Sequence, residues 1–203
     1  GDGTTVNKLV YSVYQIEKDE NGGINAKYLT TVDPEGQETF PYTTEIRLAK
    51  NKEYRVVFWA QNDECEAYTL DKETMNITVN YEGLNNDEKR DAFFAYKDLK
   101  ITGSVKEDIT LRRPFAQLNV GVTAEDWNAA VTSNATVERS KVTVKKVANS
   151  INLFNGVIGE NTTDVTYEYS EIPTEMLMID LDGDEQKEQF HYLSMSYLLA
   201  EKA

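Results

Sequence analysis

The 203-residue sequence predicts an all-β chain, a sandwich or barrel with one or two short helices. Two observations carry this expectation. Val, Ile, Thr and Tyr number 17, 10, 20 and 12, and these types suit a pleated, half-buried surface. Turn signals also recur along the chain, at Asn21-Gly22-Gly23, Asp33-Pro34, Lys50-Asn51-Lys52, Glu82-Gly83, Asn155-Gly156 and Asp182-Gly183. Short apolar segments between such turns give strands of a sandwich or barrel rather than alternating strand–helix units.

The elements follow in order. Leu9, Tyr11 and Val13 alternate with Val10, Ser12 and Tyr14, so the first strand is apolar on most of both faces. Residues 44–49 lead through Lys50-Asn51-Lys52 into residues 54–60, which reads as the strongest hairpin in the chain. Its second arm is apolar on both faces, as a central strand is. Met75, Ile77 and Val79 share one strand face, opposite Asn76, Thr78 and Asn80. Residues 105–112 read as a strand running into another at 115–122, with Pro114 interrupting because it has no N–H to give a ladder. Thr123 with Asp126 resembles a capping box, and Trp127, Ala130 and Val131 share a helical face, predicting a helix over 124–131; a helical turn is also expected within 86–95. Val142 and Val144 oppose Lys141, Thr143 and Lys145 in a strand with a basic outer face. Strands at 165–169, 175–181 and 190–199 complete the set. With no repeat and no low-complexity linker, the chain reads as one domain over 1–203.

Composition narrows the function. A net charge of -14 is the wrong sign for a nucleic-acid backbone or an anionic membrane surface. No apolar run approaches the roughly 18 residues of a membrane-spanning helix. The charge is uneven: residues 61–110 hold 12 acids against 6 bases, whereas 111–160 hold 6 bases against 4 acids. Cys65 is the single cysteine and His191 the single histidine, far apart in sequence, so Cys65 reads as a buried structural thiol. Glycine-rich phosphate loops, serine elbows and paired-histidine metal motifs are missing, and neither a catalytic group nor a cofactor is expected.

Three constellations merit weighing. Asp180, Asp182 and Asp184 alternate beside Gly183, a pattern that can wrap calcium, although the glycine falls one acid too early for an EF-hand; the competing reading is a solvated acidic turn. Tyr42, Tyr54, Trp59, Tyr68, Tyr81 and Tyr96 offer a carbohydrate-stacking row, against the reading that aromatics at strand spacing are core. Arg112-Arg113, at a strand end, reads as a surface pair or as the partner of a counter-charge.

The segment Arg113-Pro114-Phe115-Ala116-Gln117-Leu118-Asn119-Val120 resembles the Arg-Pro-x-Ala-Gln-Leu strand of fimbrillin-like proteins from Bacteroidia, the type V pilus subunits and their lipoprotein relatives. Val57-Phe58-Trp59-Ala60-Gln61, Asp91-Ala92-Phe93-Phe94, Phe154-Asn155-Gly156 and residues 192–200 fall in the order that family shows. The resemblance implies a Greek-key, transthyretin-like β-sandwich and a non-enzymatic subunit or adhesin at the cell surface, in a fimbrium or the outer membrane. Membrane contact would come only through a lipid anchor on the precursor. Expected partners are other fimbrial subunits, joined by donor-strand exchange once a protease removes a leading strand, and ligands on host or bacterial surfaces. The start at Gly1 matches a processed subunit, and the chain stops at Ala203, where relatives continue into further strands. Leu9, Tyr11 and Val13, on the first strand, are the candidates for flanking the exchange groove. The alternative reading is a carbohydrate- or calcium-binding surface module.

Overall fold

Strands β1 (Lys8–Lys18) and β3 (Lys52–Gln61) bury both of their faces, and the architecture follows from covering them. The computed structural model describes residues 3–34, 36, 38–83, 86–169, 172, 176–180 and 184–200. β1 pairs antiparallel with β3 from Lys8↔Gln61 to Ile16↔Glu53. β2 (Ile24–Val32) flanks β1 and β6 (Phe93–Ile101) flanks β3, giving a sheet of order β2-β1-β3-β6. A second sheet has the order β10-β9-β5-β4, from β4 (Tyr68–Asp71), β5 (Asn76–Val79), β9 (Ser150–Asn152) and β10 (Val157–Ile158). β7 (Phe115–Thr123), β12 (Met176–Ile179) and β13 (Glu188–Leu199) form a third of order β12-β13-β7, and β8 (Ser140–Ala148) pairs with β11 (Thr162–Tyr169).

The inner face of the first sheet, with Tyr14, Ile16, Val57, Trp59 and Phe94, meets Met75, Ile77, Val79, Ile151 and Leu153 of the second. Phe115, Leu198 and Leu199 from the third sheet and Val147 and Val165 from the β8/β11 pair close the same core. This is an all-β sandwich. Burial of each such side chain contributes about 1.5–3 kcal/mol. Trp59 is fully enclosed, with Tyr68 edge-on at 5.4 Å and its indole N–H donating to Gln61 Oε1 at 2.7 Å.

The helix α1 (Ala124–Thr132) forms as its cap predicts, with Thr123 Oγ1 accepting from Asp126 N–H at 3.1 Å. It lies against β7 and β13, where Trp127 stacks on His191 at 4.2 Å. The helical turn expected within 86–95 is a short 3₁₀ turn at Glu88–Arg90, after which β6 begins.

Two strand expectations are overturned. Residues 44–49 form no strand, because both edges of β3 are already taken by β1 and β6. Residues 105–111 form none either; the segment reaches the sheet only at Arg112, which exchanges both backbone hydrogen bonds with Phe94 at 2.9 Å. Pro114 stands just before β7, as its missing donor requires.

Two arginine–carboxylate pairs lock the frame. Arg55, buried within the apolar β3, lies opposite Asp98 in the β3/β6 register and binds it through Nε at 2.6 Å and Nη2 at 3.0 Å. Its Nη1 donates to the Phe154 carbonyl at 2.8 Å, and the guanidinium lies between the Tyr96 and Phe154 rings at 4.5 and 4.6 Å. The β9–β10 turn is thereby tied to the first sheet. Arg113 grips Asp91 at 2.6 and 2.8 Å, and Asp91 also accepts from Gly3 N–H at 3.0 Å. Arg113 thus realises the counter-charge reading, whereas Arg112 lies over the Phe94 ring at 5.1 Å.

The pairs differ in what they predict. Hydrogen bonding from Arg55 holds the Asp98 carboxyl below the usual carboxylate range; burial opposes this, and the charges of Arg55 and Lys18 reinforce it. A carboxyl lowered in the folded state adds stability above its unfolded value, near 3.8, and that stability is lost as the pH falls through the folded value. Asp98→Asn should therefore flatten the fall in melting temperature between about pH 6 and pH 2; an unchanged acid limb would remove this pair from the account. At Asp91 the carboxylate side chain is 2% exposed and the Arg113 side chain 37%. Arg113→Ala strands a buried charge and should cost about 3–5 kcal/mol, against about 1–3 for Asp91→Asn, whose arginine partner can turn to water. Urea unfolding gives the order, and equal losses would contradict it.

Candidate functional site: an apolar cleft on the outer sheet face

On its outer face the first sheet presents Leu9, Tyr11 and Val13 beside Tyr54, Val56, Phe58 and Ala60. No second sheet covers them. The cover is two segments without regular secondary structure, residues 39–48 and 102–111, which drop Tyr42, Ile46, Leu48, Ile109 and Leu111 onto the strands. Tyrosine tips tether the first of these: Tyr11 Oη lies 3.0 Å from Thr44 Oγ1, and Tyr54 Oη accepts from Ala49 N–H at 3.1 Å. The second is held by the Lys97–Glu107 ion pair at 3.2 Å. Among the described residues, neither 39–48 nor 102–111 donates or accepts a backbone–backbone hydrogen bond. Backbone N–H and C=O groups left out of any ladder are available to an incoming strand.

Where the segments part, they leave an open cleft of about 880 Å³. Its lining is mainly apolar: Val6, Phe40, Ala60, Phe93, Ile109 and Leu111, with Glu38 the one carboxylate among the described residues. Phe40 is 42% exposed, an aromatic ring presented to solvent at the mouth. Residues 3–7 form one wall and are pinned throughout. Thr5 Oγ1 donates to the Glu88 carbonyl at 3.0 Å, Asn62 Nδ2 to the Thr5 carbonyl at 2.6 Å, and Asn7 and Asp63 exchange two bonds of 2.8 Å. Gly3 has a φ of +81°, and a Cβ there would meet the Phe93 ring at 3.1 Å, so glycine is required. Arg113 lies 4.7 Å from the Phe93 ring centre, so the Asp91–Arg113 pair backs this wall.

Leu9, Tyr11 and Val13 lie together on this face, but they are 4%, 3% and 1% exposed and form the floor beneath the cover. The cleft is lined instead by residues the sequence did not single out as a site, above all Phe40, which turn-like composition around Phe40-Pro41 concealed, and Ile109, which lay in a segment expected to be a strand. The carbohydrate-stacking row is not built from the aromatics proposed for it. Tyr54, Trp59 and Tyr81 are buried, Tyr68 packs between Trp59 and Phe115, and the partly exposed Tyr96 is occupied by Arg55. Strands buried on both faces leave no side on which such a row can be wet.

Of the calcium candidates, Asp182 lies outside the described residues. Asp180 Oδ2 accepts from Glu185 N–H at 3.0 Å and Asp184 Oδ1 from Gln186 N–H at 2.8 Å, both as turn-forming bonds. No group of three or more His, Cys, Asp or Glu suited to a metal is assembled among the described residues. Cys65 is buried, and burial pushes its thiol up. His191 stands elsewhere, against Trp127 on β13.

No curated protein matches the chain. Solved structures resemble it, among them the following two. One is a candidate polysaccharide-binding protein (DUF1812) from Bacteroides thetaiotaomicron, 15% identical with a TM-score of 0.54 over 95% of this chain and 64% of that one. The other is a candidate adhesin from Bacteroides ovatus, 12% identical with a TM-score of 0.49 over 100% of this chain and 64% of that one. The chain thus spans just under two thirds of the length of either. The first likeness is one of fold. In sequence the match is direct: residues 4–203 fit the model of a family of unknown function, DUF6562, and the chain belongs to that family.

Proposed function

We propose that this chain is a non-enzymatic, cell-surface binding protein of the adhesin type, a subunit that joins a neighbour by accepting an extended strand into the cleft over its outer sheet face. One observation carries the reading: two segments without regular structure, whose backbone makes no backbone–backbone hydrogen bond among the described residues, border a mainly apolar cleft. An incoming strand would satisfy those N–H and C=O groups and place alternate side chains against Phe40, Ile109 and Leu111, the arrangement of β-strand addition. Burial of four or five side chains at about 1.5–3 kcal/mol each gives roughly 6–15 kcal/mol before ordering costs, enough for a durable junction.

Other features agree with it. Among the described residues that line the cleft, Glu38 is the one carboxylate, and apolar side chains predominate, as an incoming strand requires. The Arg113-Pro114 segment that resembles fimbrillin-like proteins supplies the pair that backs the cleft wall. The Bacteroides thetaiotaomicron protein that shares the fold is itself described as binding polysaccharide, which favours a surface location. Fimbrial assembly and a lipid anchor on the precursor are the specific forms this role would take.

A peptide of about ten alternating valine and threonine residues tests the proposal. At about a hundredfold excess over its Kd it should raise the melting temperature by about 5–10 °C. Phe40→Asp, at an exposed position, should abolish that rise while leaving the unliganded melting temperature within about 2 °C of the parent; Ile109→Asp, whose side chain helps cover the outer sheet face, should abolish it with a lowered unliganded melting temperature. No shift at saturating peptide would refute the cleft as a strand acceptor.

A further inference from the structure

The third sheet ends in β7, whose outer edge pairs with no other strand among the described residues. Exposed sheet edges are normally blunted by charge, by a bulge or by brevity. The other edges carry such devices. β2 holds Lys27 and an extra residue, Leu29, since Val13 pairs with Thr30 and Tyr14 with Tyr28. β6 carries Lys97, Asp98 and Lys100 and is bridged by Arg112. β8 and β11 are charged along their length, and β4, β10 and β12 have four residues or fewer. β7 reads Phe-Ala-Gln-Leu-Asn-Val-Gly-Val-Thr: nine residues without a charge. The bulge in its ladder is on the central strand, at Leu193, so the edge itself stays regular. Ala116, Gln117 and Leu118 are exposed in succession, so both faces and the edge are open there.

From this edge we infer that two copies of the chain join β7 to β7, antiparallel about a two-fold axis at Asn119, forming one sheet of order β12-β13-β7-β7-β13-β12. The backbone is phased for it. Ala200 N–H donates to the Pro114 carbonyl at 3.3 Å, which turns residue 114 toward β13. By antiparallel alternation residues 115, 117, 119, 121 and 123 then aim their N–H and C=O groups outward. Centring on Asn119 pairs 115 with 123, 117 with 121, and 119 with itself, all as hydrogen-bonded pairs, for about ten bonds across the junction.

The side chains match in the same register. Leu118 meets Val120 and Ala116 meets Val122 on one face, so an apolar stripe continues through the axis. A one-residue slip would lose this match. The self-complementary register is what favours a second copy over an unrelated strand. The charge of -14 on each copy opposes close approach, and it does so least at β7, which is uncharged and lies in the stretch with 6 bases against 4 acids. The junction uses a different sheet from the strand-accepting cleft and does not depend on it.

Sedimentation of the whole chain should show a dimer at tens of micromolar. Leu118→Lys, at a side chain already 39% exposed, should raise the dimer Kd about tenfold or more with the melting temperature of the monomer retained. Asn119→Cys, placed in a Cys65→Ala background, should cross-link across the axis on mild oxidation, because hydrogen-bonded antiparallel partners sit about 5.5 Å apart at Cα, within disulfide reach. A chain that remains monomeric across the concentration range overturns the inference. So does a dimer that survives Leu118→Lys and fails to cross-link at 119. Loss of peptide binding at Phe40 or Ile109 would leave these outcomes unchanged, so the two proposals fail separately.

Discussion

Two adjacent strands that are apolar on both faces impose a demand no single partner sheet can meet. β1 and β3 sit side by side at the middle of the first sheet, and water must be kept from four surfaces at once. On the inner side the remaining strands do this with Met75, Ile77, Leu153 and Leu199. The outer side receives only lengths of chain laid across it, held by a few tyrosine hydroxyls and one ion pair. Regular packing on one side and improvised cover on the other is the asymmetry from which the cleft arises.

Much of the frame was legible in the sequence because it rests on local period. The alternation in Met75, Ile77 and Val79, the double-faced run in 54–60, the cap at Thr123 and the break at Pro114 all appear where the residues place them. What escaped was non-local. Residues 44–49 alternate like a hairpin arm, yet strand pairing is competitive, and β3 had already been claimed by β1 and β6. β6 was overlooked because Lys97, Asp98 and Lys100 interrupt its apolar pattern. The signal that could have found it was Arg55, a cation inside a buried strand that requires a carboxylate opposite. β2 was missed for a related reason: most of its residues are exposed, so no face stands out.

The candidate site was less legible than the frame. Leu9, Tyr11 and Val13 lie on the face over which the cleft opens, buried beneath its cover, since a strand apolar on both sides must cover something on each. Phe40 and Ile109 lie in segments without regular structure, where period says nothing, and they meet only because the sheet brings their segments together. The aromatics that suggested sugar stacking illustrate the same limit. Spacing assigns a residue to a side of a strand, but it does not say whether that side is wet.

The unladdered cover has an evolutionary corollary. Substitutions or small insertions in 39–48 and 102–111 leave every strand register intact, because those segments contribute nothing to the ladders. Their sequence can drift quickly while the scaffold beneath stays fixed. Homologues with superimposable frames would then present chemically distinct mouths, and divergence within the family should concentrate at this rim before it reaches the core.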